Sequence, residues 1–258
     1  MEHFKNEFVS LIRSSNRKII LSSQFIRMDV LEKVLKNISN NLEVEVLTST
    51  NLCDYLNGNS DIDGLEFLIS IGIKIRSMHN FSNQLFFFDD KVLVSSFNMN
   101  DLYFLKKNEF GVLFSQQDEV QKFKTYYQRM IKNNTARQLS TRDIKTIKKC
   151  YKKLNHKCKY LYDADGDLIL QIHNIEDLTQ EISASWQKNM LLYINSRITT
   201  NKFCLQDIYR DVGFFKILYP NNKTIDARMR RTLQELRDFG LIKFYGNGTY
   251  KILWEIKD

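Results

Sequence analysis

Hydrophobic positions along the first half of the chain follow two spacings that alternate with each other. Residues 4–12 and 30–38 carry apolar side chains every three or four positions, which predicts amphipathic helices. Residues 18–23 are a short apolar run and residues 42–47 alternate apolar and polar positions, and both patterns predict strands. The alternation continues to about residue 131 and predicts an α/β domain, with a largely parallel sheet covered by helices on both faces.

The same criteria predict the other elements up to residue 182. They are helices over 61–71 and 119–131 and strands over 73–76, 84–88, 92–94 and 110–114. We expect one domain over residues 1–135. A lysine-rich helix from about residue 141 and a hairpin over 160–172 then form a linker segment, 136–182.

Residues 183–258 are predicted to form a second domain of three helices followed by a hairpin. The helices are expected at 186–198, at 203–219 and from 224, and the hairpin strands at 241–245 and 249–253. Gly240 follows the third helix, and the turn Gly246-Asn247-Gly248 joins the two strands. Three helices followed by a hairpin are the element order of a winged helix-turn-helix.

Length and composition exclude several classes of protein. The 258 residues are 43% hydrophobic and 26% charged, which excludes a disordered chain. No stretch approaches the ~20 apolar residues of a membrane span, and the N-terminus lacks the apolar segment of a signal peptide. The four cysteines are too few and too scattered for a disulfide framework. We therefore expect a cytoplasmic protein, nuclear in a eukaryotic host, with no membrane partner.

The net charge of +8 is concentrated in one segment. Residues 137–159 hold nine lysine and arginine residues and one acidic residue, Asp143, and the rest of the chain is neutral. Such a block beside a folded domain is typical of a site for a nucleic-acid backbone, to which we assign Lys148, Lys149 and Lys152. The alternative is a solvated helix face that joins two domains.

The third helix of the second domain has a basic face. Residues 221–251 carry seven basic residues and three acidic ones. Arginines near the start of a recognition helix can reach base edges in the major groove, and a glycine turn lets the wing approach the minor groove. The candidate DNA-binding residues are Lys223, Arg228, Arg230, Arg231, Arg237, Lys243, Asn247 and Lys251. A winged helix that binds protein is the alternative.

Two groups of residues have partial metal-site spacing. Residues 163–167 resemble part of a calcium loop, but Gly166 stands at position four instead of six, so a turn is predicted. Four further residues match no structural zinc spacing. They are Cys150, His156, Cys158 and His173. We therefore expect neither a metal nor a cofactor.

Four segments of the second domain resemble the C-terminal winged-helix domain of the DpnI restriction enzyme family. They are residues 205–209, 218–222, 228–244 and 246–250. The second of them, Leu-Tyr-Pro-Asn-Asn, is not generic to winged helices. The resemblance implies binding of double-stranded DNA, a relation to restriction-modification or defence systems, and sensitivity to adenine methylation.

The first domain resembles the phospholipase D superfamily. A single-motif chain of that family has a His-x-Lys-x4-Asp motif, then a Gly-Ser-x-Asn motif, then a Glu before a strand. Asp89, Ser96, Asn98 and Glu109 match the corresponding family residues. The resemblance implies a phospholipase D-like mixed sheet with helices on both faces, and a homodimer that completes the site at its interface.

The residues that carry out the family reaction are replaced in this chain. Ser82 stands at the position of the nucleophilic histidine, Gln84 at that of the lysine and Ser95 at that of the glycine. Serine is a weak nucleophile without a base, and glutamine cannot offset phosphate charge, so we predict a catalytically inactive domain. We also expect the retained polar residues to bond one another across the two-fold axis of a dimer.

These patterns lead to one main function and two alternatives. The main function is binding of double-stranded DNA by a homodimer that is built on an inactive phospholipase D-like domain and is related to restriction systems. The first alternative is a type II-like restriction endonuclease with a rearranged site that uses Asp89, Glu109, Ser82 or His79. The second alternative is a protein–protein adaptor.

Overall fold

A computed structural model gives the fold of most of the chain. It describes residues 2–36, 38, 41–78, 82–100, 109–133, 136–154, 159–180, 182 and 184–257. Two compact units are present, Met1–Thr50 with Asn57–Ile144 and Asn51–Leu56 with Lys145–Asp258. Residues 145–182 are thus grouped with the C-terminal part of the chain. The domain borders at 135 and 182 stay a prediction.

Helices and strands alternate along the chain much as the hydrophobic pattern predicts. The strands are β1 (Lys18–Ser22), β2 (Glu43–Thr48), β3 (Lys74–Ser77), β4 (Leu85–Phe88), β5 (Lys91–Ser95), β6 (Gly111–Phe114), β7 (Arg137–Gln138), β8 (Lys159–Tyr162), β9 (Leu168–Ile172), β10 (Lys202–Cys204), β11 (Ile242–Gly246), β12 (Thr249–Ile252) and β13 (Trp254–Ile256). The helices are α1 (Glu2–Ser14), α2 (Met28–Leu35), α3 (Leu52–Leu56), α4 (Ile62–Ser70), α5 (Gln117–Asn133), α6 (Thr141–Leu154), α7 (Glu176–Thr179), α8 (Ser185–Arg197), α9 (Leu205–Tyr209), α10 (Val212–Leu218) and α11 (Ile225–Asp238). Within the described ranges, no helix combines the length and the apolar content that a membrane span requires.

The described strands of the first unit form one mixed sheet of seven strands. Their order is β6-β5-β4-β1-β2-β3-β7. β1, β2 and β3 are parallel neighbours, and the other neighbouring pairs are antiparallel. The expectation of a largely parallel sheet is wrong, because the two-residue turn Asp89-Asp90 joins β4 and β5 as a hairpin. The mixed sheet that the resemblance implies is confirmed.

Helices cover both faces of this sheet. On one face, the ring of Phe8 in α1 lies 5.0 Å from that of Phe86 and 5.6 Å from that of Phe88. On the other face, the ring of Tyr127 in α5 lies 5.4 Å from that of Phe87. Successive residues of a strand point to opposite faces, so β4 is buried on both sides.

The described part of the second unit has two three-stranded sheets and a helical core. The wing sheet has the order β10-β12-β11, and the other sheet has the order β13-β9-β8. In the core, Trp186 of α8 stacks on Phe215 of α10, with ring centroids 5.8 Å apart. The wing turn is Asn247-Gly248, and both residues have positive φ, as a type I′ hairpin requires. The predicted hairpin after the helix α11 is therefore confirmed.

The single helix predicted over residues 203–219 is wrong. A carboxylate oxygen of Asp207 accepts the backbone N–H of Cys204 at 2.7 Å, so α9 begins at Leu205. Residues 202–204 are extended and pair with β12. The apolar spacing of this segment is shared between a strand and two short helices, α9 and α10.

Gly240 ends α11, as the sequence predicts, and permits a close backbone contact. Its φ is 73°, which favours glycine. A Cβ atom at this position would lie 1.9 Å from Oδ1 of Asn51. Next to it, the N–H of Leu52 donates to the carbonyl of Phe239 at 2.9 Å. A side chain at position 240 would therefore displace the amide of Asn51, whose Oδ1 accepts the N–H of Cys53 at 3.0 Å.

Candidate functional site

Hydroxyl side chains gather in the first unit at the sheet edge where the parallel strands end. Ser22 and Ser23 stand at the end of β1, residues 48–50 at the end of β2 and Ser77 at the end of β3. All are buried, and the oxygens of Thr50 and Ser77 lie 2.5 Å apart. The carboxyl edge of parallel strands is where open α/β sheets bind ligands, and this polar cluster lies at that edge.

Gln84 and Asn98, two of the predicted motif positions, lie together at this edge. Nε2 of Gln84 donates to Oδ1 of Asn98 at 3.0 Å, and Oγ of Ser23 lies 3.2 Å from the same oxygen. The hydroxyl of Ser23 also accepts the N–H of Met99 at 2.9 Å. The position of the family lysine thus holds an uncharged amide, which cannot neutralise charge on a phosphate.

Ser96 and Glu109 form a second pair among the motif positions. The hydroxyl of Ser96 donates to a carboxylate oxygen of Glu109 and accepts the N–H of Phe110 at 3.3 Å. Ser82, at the position of the family nucleophile, is exposed. His79 lies outside the described residues, so its role in a rearranged site stays a prediction.

Asp89 stands at the opposite end of the strands from Gln84 and Asn98. It follows Phe88, which pairs with Ile19 at the start of β1, whereas Leu85 pairs with Ser22 at its end. Its carboxylate accepts the backbone N–H groups of residues 16, 17 and 18 at 2.8–3.0 Å. Burial raises the pKa of Asp89, but these N–H groups outweigh it and hold the pKa below its usual value. Asp89 therefore fixes the start of β1.

The retained motif residues are all hydrogen-bonded within one chain. Asp89 bonds backbone, Asn98 bonds Gln84, and Ser96 bonds Glu109. We expected them to bond one another across a dimer axis because buried polar groups need partners. That reason for a dimer no longer applies, and the homodimer stays a prediction.

In the second unit, a buried carboxylate holds two of the predicted DNA-binding arginines of α11. Glu235 is 5% exposed, and its Oε1 lies 3.4 Å from Arg228 and 3.2 Å from Arg231. Its Oε2 accepts a hydrogen bond from Gln187 at 2.9 Å. The guanidinium of Arg228 also lies 5.9 Å from the ring of Trp186. These contacts fix both guanidinium groups on one side of α11.

Three further predicted residues lie on the surface of this unit. Lys223, just before α11, is exposed. Arg230 is exposed and lies over the ring of Tyr209, 5.5 Å from its centroid, with a hydrogen bond from Nε to the tyrosine hydroxyl. Asn247 is exposed at the wing turn. Lys223, Arg230 and Asn247 are therefore positioned to meet a ligand outside the domain.

Three lysines form one row across the wing sheet and meet an acidic turn. Lys202 and Lys243 each pair with Lys251 in the strand register. The turn between β8 and β9 carries aspartates at every second position, and its Asp165 lies 3.7 Å from Lys202. Cross-strand neighbours with like charge repel, so the row requires these carboxylates.

Lys251 is the centre of this cluster and is 1% exposed. Its Nζ lies 2.5 Å from Asp163 and 2.8 Å from both Asp165 and Asp167. Burial disfavours its charge, but the three carboxylates outweigh this and raise the pKa of Lys251. Burial alone would raise the pKa of Asp167, but hydrogen bonds from Lys243, Lys251 and Tyr245 lower it to about 2. The ammonium group occupies the place between the carboxylates that a cation would take.

The predicted basic surface is therefore smaller than the sequence indicates. Lys251 is enclosed by carboxylates, and Lys243 is bonded to Asp167 at 2.5 Å. Arg237 is 9% exposed and paired with Asp238 at 2.8 Å. We withdraw Lys251 and Arg237 from the set that can reach DNA.

The lysine-rich helix α6 has the amphipathic form that the sequence predicts. Ile144 and Ile147 are buried, whereas Lys149 and Lys152 are exposed and Lys148 is half-buried. Exposed lysines with an apolar opposite face fit both a phosphate-binding helix and a solvated one.

The order of helices, the recognition-type helix α11 and the wing turn point to one domain family. Residues 183–252 match the Dam-replacing HTH domain. The second unit therefore contains a winged helix-turn-helix domain, referred to below as the HTH domain, and the function of the chain is DNA-related. No curated protein matches the chain.

The chain is also similar to several solved structures. One is Nuc, a phospholipase D family member from Salmonella typhimurium, with 18% identity over 53% of this chain and 91% of that chain and a TM-score of 0.45. NucT from Helicobacter pylori has 16% identity over 54% of this chain and 93% of its own, with a TM-score of 0.36. TrmBL2, an archaeal chromatin protein, has 16% identity over 54% of this chain and 51% of its own, with a TM-score of 0.39.

Two features of the second unit escaped the sequence analysis. Glu235 was counted as one of three acidic residues, and its contacts with Arg228 and Arg231 became evident only in the structure. Its spacing of four from Arg231 on a helix was the available signal. The period-two aspartates at 163–167 were interpreted as a turn, and nothing in the sequence paired them with Lys251.

Proposed function

We propose that the chain binds double-stranded DNA with α11 and the wing turn of its HTH domain. The observation that carries this proposal is the set of basic side chains on α11 and just before it. Arg228 and Arg231 are fixed by Glu235, Arg230 is held over Tyr209, and Lys223 is exposed before the helix. Arginines at such positions can pair with guanine, and lysines contact phosphates.

The first unit is proposed to be a catalytically inactive scaffold. In support, Gln84 replaces the family lysine and uses its amide on Asn98, and Asp89 is bonded to backbone at the far end of the strands. The alternative nuclease would have to combine Asp89 and Glu109, which stand at opposite ends of β4 and β5. This separation favours the inactive scaffold.

The first unit is also proposed to form the homodimer. β6 lies at an end of the described sheet, where it pairs with β5. Phe110 and Val112 beside and within this edge are 70% and 52% exposed. An exposed apolar edge strand is a template for pairing with a second copy.

Adenine methylation and a role in restriction or defence belong to the same proposal and rest on the resemblance to the DpnI family. The test is a fluorescence-anisotropy titration of the full chain with matched duplexes, unmethylated and adenine-methylated, with and without Mg²⁺. We expect binding without cleavage, tighter for the methylated duplex. Equal affinity for both duplexes would remove methylation from the proposal, cleavage would support the nuclease, and no binding would leave the adaptor function.

A further inference from the structure

A pocket of about 450 Å³ opens in the first unit at the opposite edge of the sheet from the hydroxyl cluster. It lies between the α5-covered face of the sheet and α5 itself. Lys18 and Lys74, at the starts of β1 and β3, line it together with Lys124 of α5. The volume falls in the range of small-molecule sites. Of the degenerate motif positions, Asp89 alone lines this pocket, and its carboxylate is bonded to the backbone.

Cationic side chains outnumber carboxylates in the lining. Arg17, Lys18, Lys74, Arg76 and Lys124 contribute five positive charges. The three carboxylates of the lining are those of Glu45, Asp89 and Asp90. Lys18 is also paired with Glu43, just outside the lining, at 2.8 Å, so the five cations face four carboxylates. The remaining positive charge attracts anions into a concave site.

Each carboxylate of the lining already has partners. Glu45 is 4% exposed and lies 2.9 Å from Nε of Arg76 and 3.5 Å from Nζ of Lys74, and it accepts a hydrogen bond from Tyr127. Two cations, Arg17 and Lys124, contact Asp90. Glu45 and Asp90 thus contact two cations each, and the carboxylate of Asp89 accepts the backbone N–H groups of residues 16–18. The cations at the mouth, Arg17 and Lys124, are accessible to solvent.

The floor of the pocket is apolar. Ile20 of β1, Phe87 of β4 and Ile131 of α5 line it beside Tyr127. These residues belong to or pack against the apolar cluster between the sheet and α5. An apolar floor below a cationic mouth suits a ligand with an organic body and an anionic head. A nucleic-acid backbone would contact the mouth alone and leave the floor empty.

We propose that this pocket binds a small organic phosphate. Arginine and lysine around the mouth match phosphate oxygens, and the buried Glu45 with its cations keeps the inner wall polar and fixed. The site lies in the first unit, so the proposal is independent of DNA binding by the HTH domain.

Isothermal titration calorimetry of the full chain tests this proposal. The probes are the four ribonucleoside 5′-monophosphates and ribose 5-phosphate. Inorganic phosphate and adenosine are measured alongside them, because they represent the anionic head and the organic body of adenosine 5′-monophosphate. We expect at least one organic phosphate to bind, at least about tenfold tighter than inorganic phosphate or adenosine. Lys124→Glu and Arg17→Ala should weaken it, the charge reversal by about tenfold or more.

The matched control is Lys122→Glu, an exposed lysine on the same helix that does not line the pocket. It changes the net charge by the same amount as Lys124→Glu and should leave binding unchanged. Circular dichroism melting confirms that each variant is folded. The proposal is overturned if no organic phosphate binds at millimolar concentration, or if Lys124→Glu and Lys122→Glu weaken binding equally.

Discussion

Replacement of Lys251 by methionine tests the interpretation that this lysine is an internal cation of the second unit. The side chain is 1% exposed, and its Nζ contacts three carboxylates at 2.5, 2.8 and 2.8 Å. Methionine keeps an unbranched stem of similar shape and removes the charge. In Lys251→Met, the carboxylates within 4.8 Å of one another lose their shared partner, while Lys243 still contacts Asp167.

The expected cost follows from the burial of the cluster. Removing one partner of a fully buried ion pair costs about 3–5 kcal/mol, because the other charge stays buried and unpaired. Here Asp165 is 51% exposed and partly screened by water, so the loss is smaller. We expect Lys251→Met to lower the free energy of unfolding by about 2–3 kcal/mol at pH 7.

The stability of the two proteins should change in different pH ranges, falling in the parent chain below pH 4 and rising in the variant between pH 7 and 4. In the parent chain, the pKa of Asp167 is about 2, below its ordinary value of 3.8, so its stabilisation is present above pH 4 and is lost as pH falls toward 2. In Lys251→Met, the carboxylates repel one another and protonation relieves the repulsion. The variant should therefore gain stability as pH falls from 7 to about 4.

Urea unfolding followed by tryptophan fluorescence measures this effect. The two tryptophans of the chain, Trp186 and Trp254, are buried in the second unit and report on it alone. Lys257→Met is the control, because Lys257 is exposed at the end of the same unit. A loss below about 1 kcal/mol for Lys251→Met, or the same pH dependence in both proteins, would refute the internal-cation interpretation.

Three other predictions follow from the structure. Gly240→Ala should lower the free energy of unfolding by about 2–4 kcal/mol in the same assay, because φ is 73° and Asn51 stands 1.9 Å from the added Cβ; Gly213→Ala, with open space around it, should not. Phe110→Asp should weaken the homodimer in analytical ultracentrifugation, whereas Ile217→Asp in the other unit should not; a chain that is monomeric at micromolar concentration would remove the dimer. Phosphodiesterase assays with and without EDTA should show no activity, because uncharged groups replace the nucleophile and the cation of the family; EDTA-resistant cutting would contradict the inactive scaffold.

The alternating spacing of apolar residues was enough to predict most elements of the fold. A period of two predicted strands such as β2, and a period near 3.6 predicted helices such as α5. The polar position Glu45 of β2 is nevertheless buried, so β2 has no solvated face beyond Glu43. The turn Asn247-Gly248 and the helix end at Gly240 were predictable because both need positive φ. These features depend on residues close together in the sequence.

The pattern failed where contacts between distant residues decide the structure. The segment from Phe203 to Tyr219 has helical apolar spacing, but pairing of residues 202–204 with β12 requires an extended start. The row of Lys202, Lys243 and Lys251 depends on a strand register that the sequence does not specify. A count of basic residues in the sequence therefore placed Lys251 among the candidate DNA-binding residues.

The contacts of the motif positions were only partly predictable. The resemblance grouped Gln84, Asn98, Ser96 and Glu109 as motif positions, and the structure joins them in two hydrogen-bonded pairs at one edge of the sheet. It did not indicate that Asp89 bonds the backbone of residues 16–18, more than seventy positions away. That contact depends on the pairing of β4 with β1.

Salt dependence of DNA affinity is the most direct test of the central claim that the HTH domain binds DNA through α11. Fluorescence anisotropy of a labelled duplex should give a linear fall of log affinity with log salt, with a slope of about −0.9 for each phosphate contact. Lys223→Glu and Arg230→Glu should each reduce the steepness by about one contact, while Lys257→Glu leaves it unchanged. An affinity that is flat between 50 and 200 mM salt, or a slope that none of these variants alters, would contradict the account.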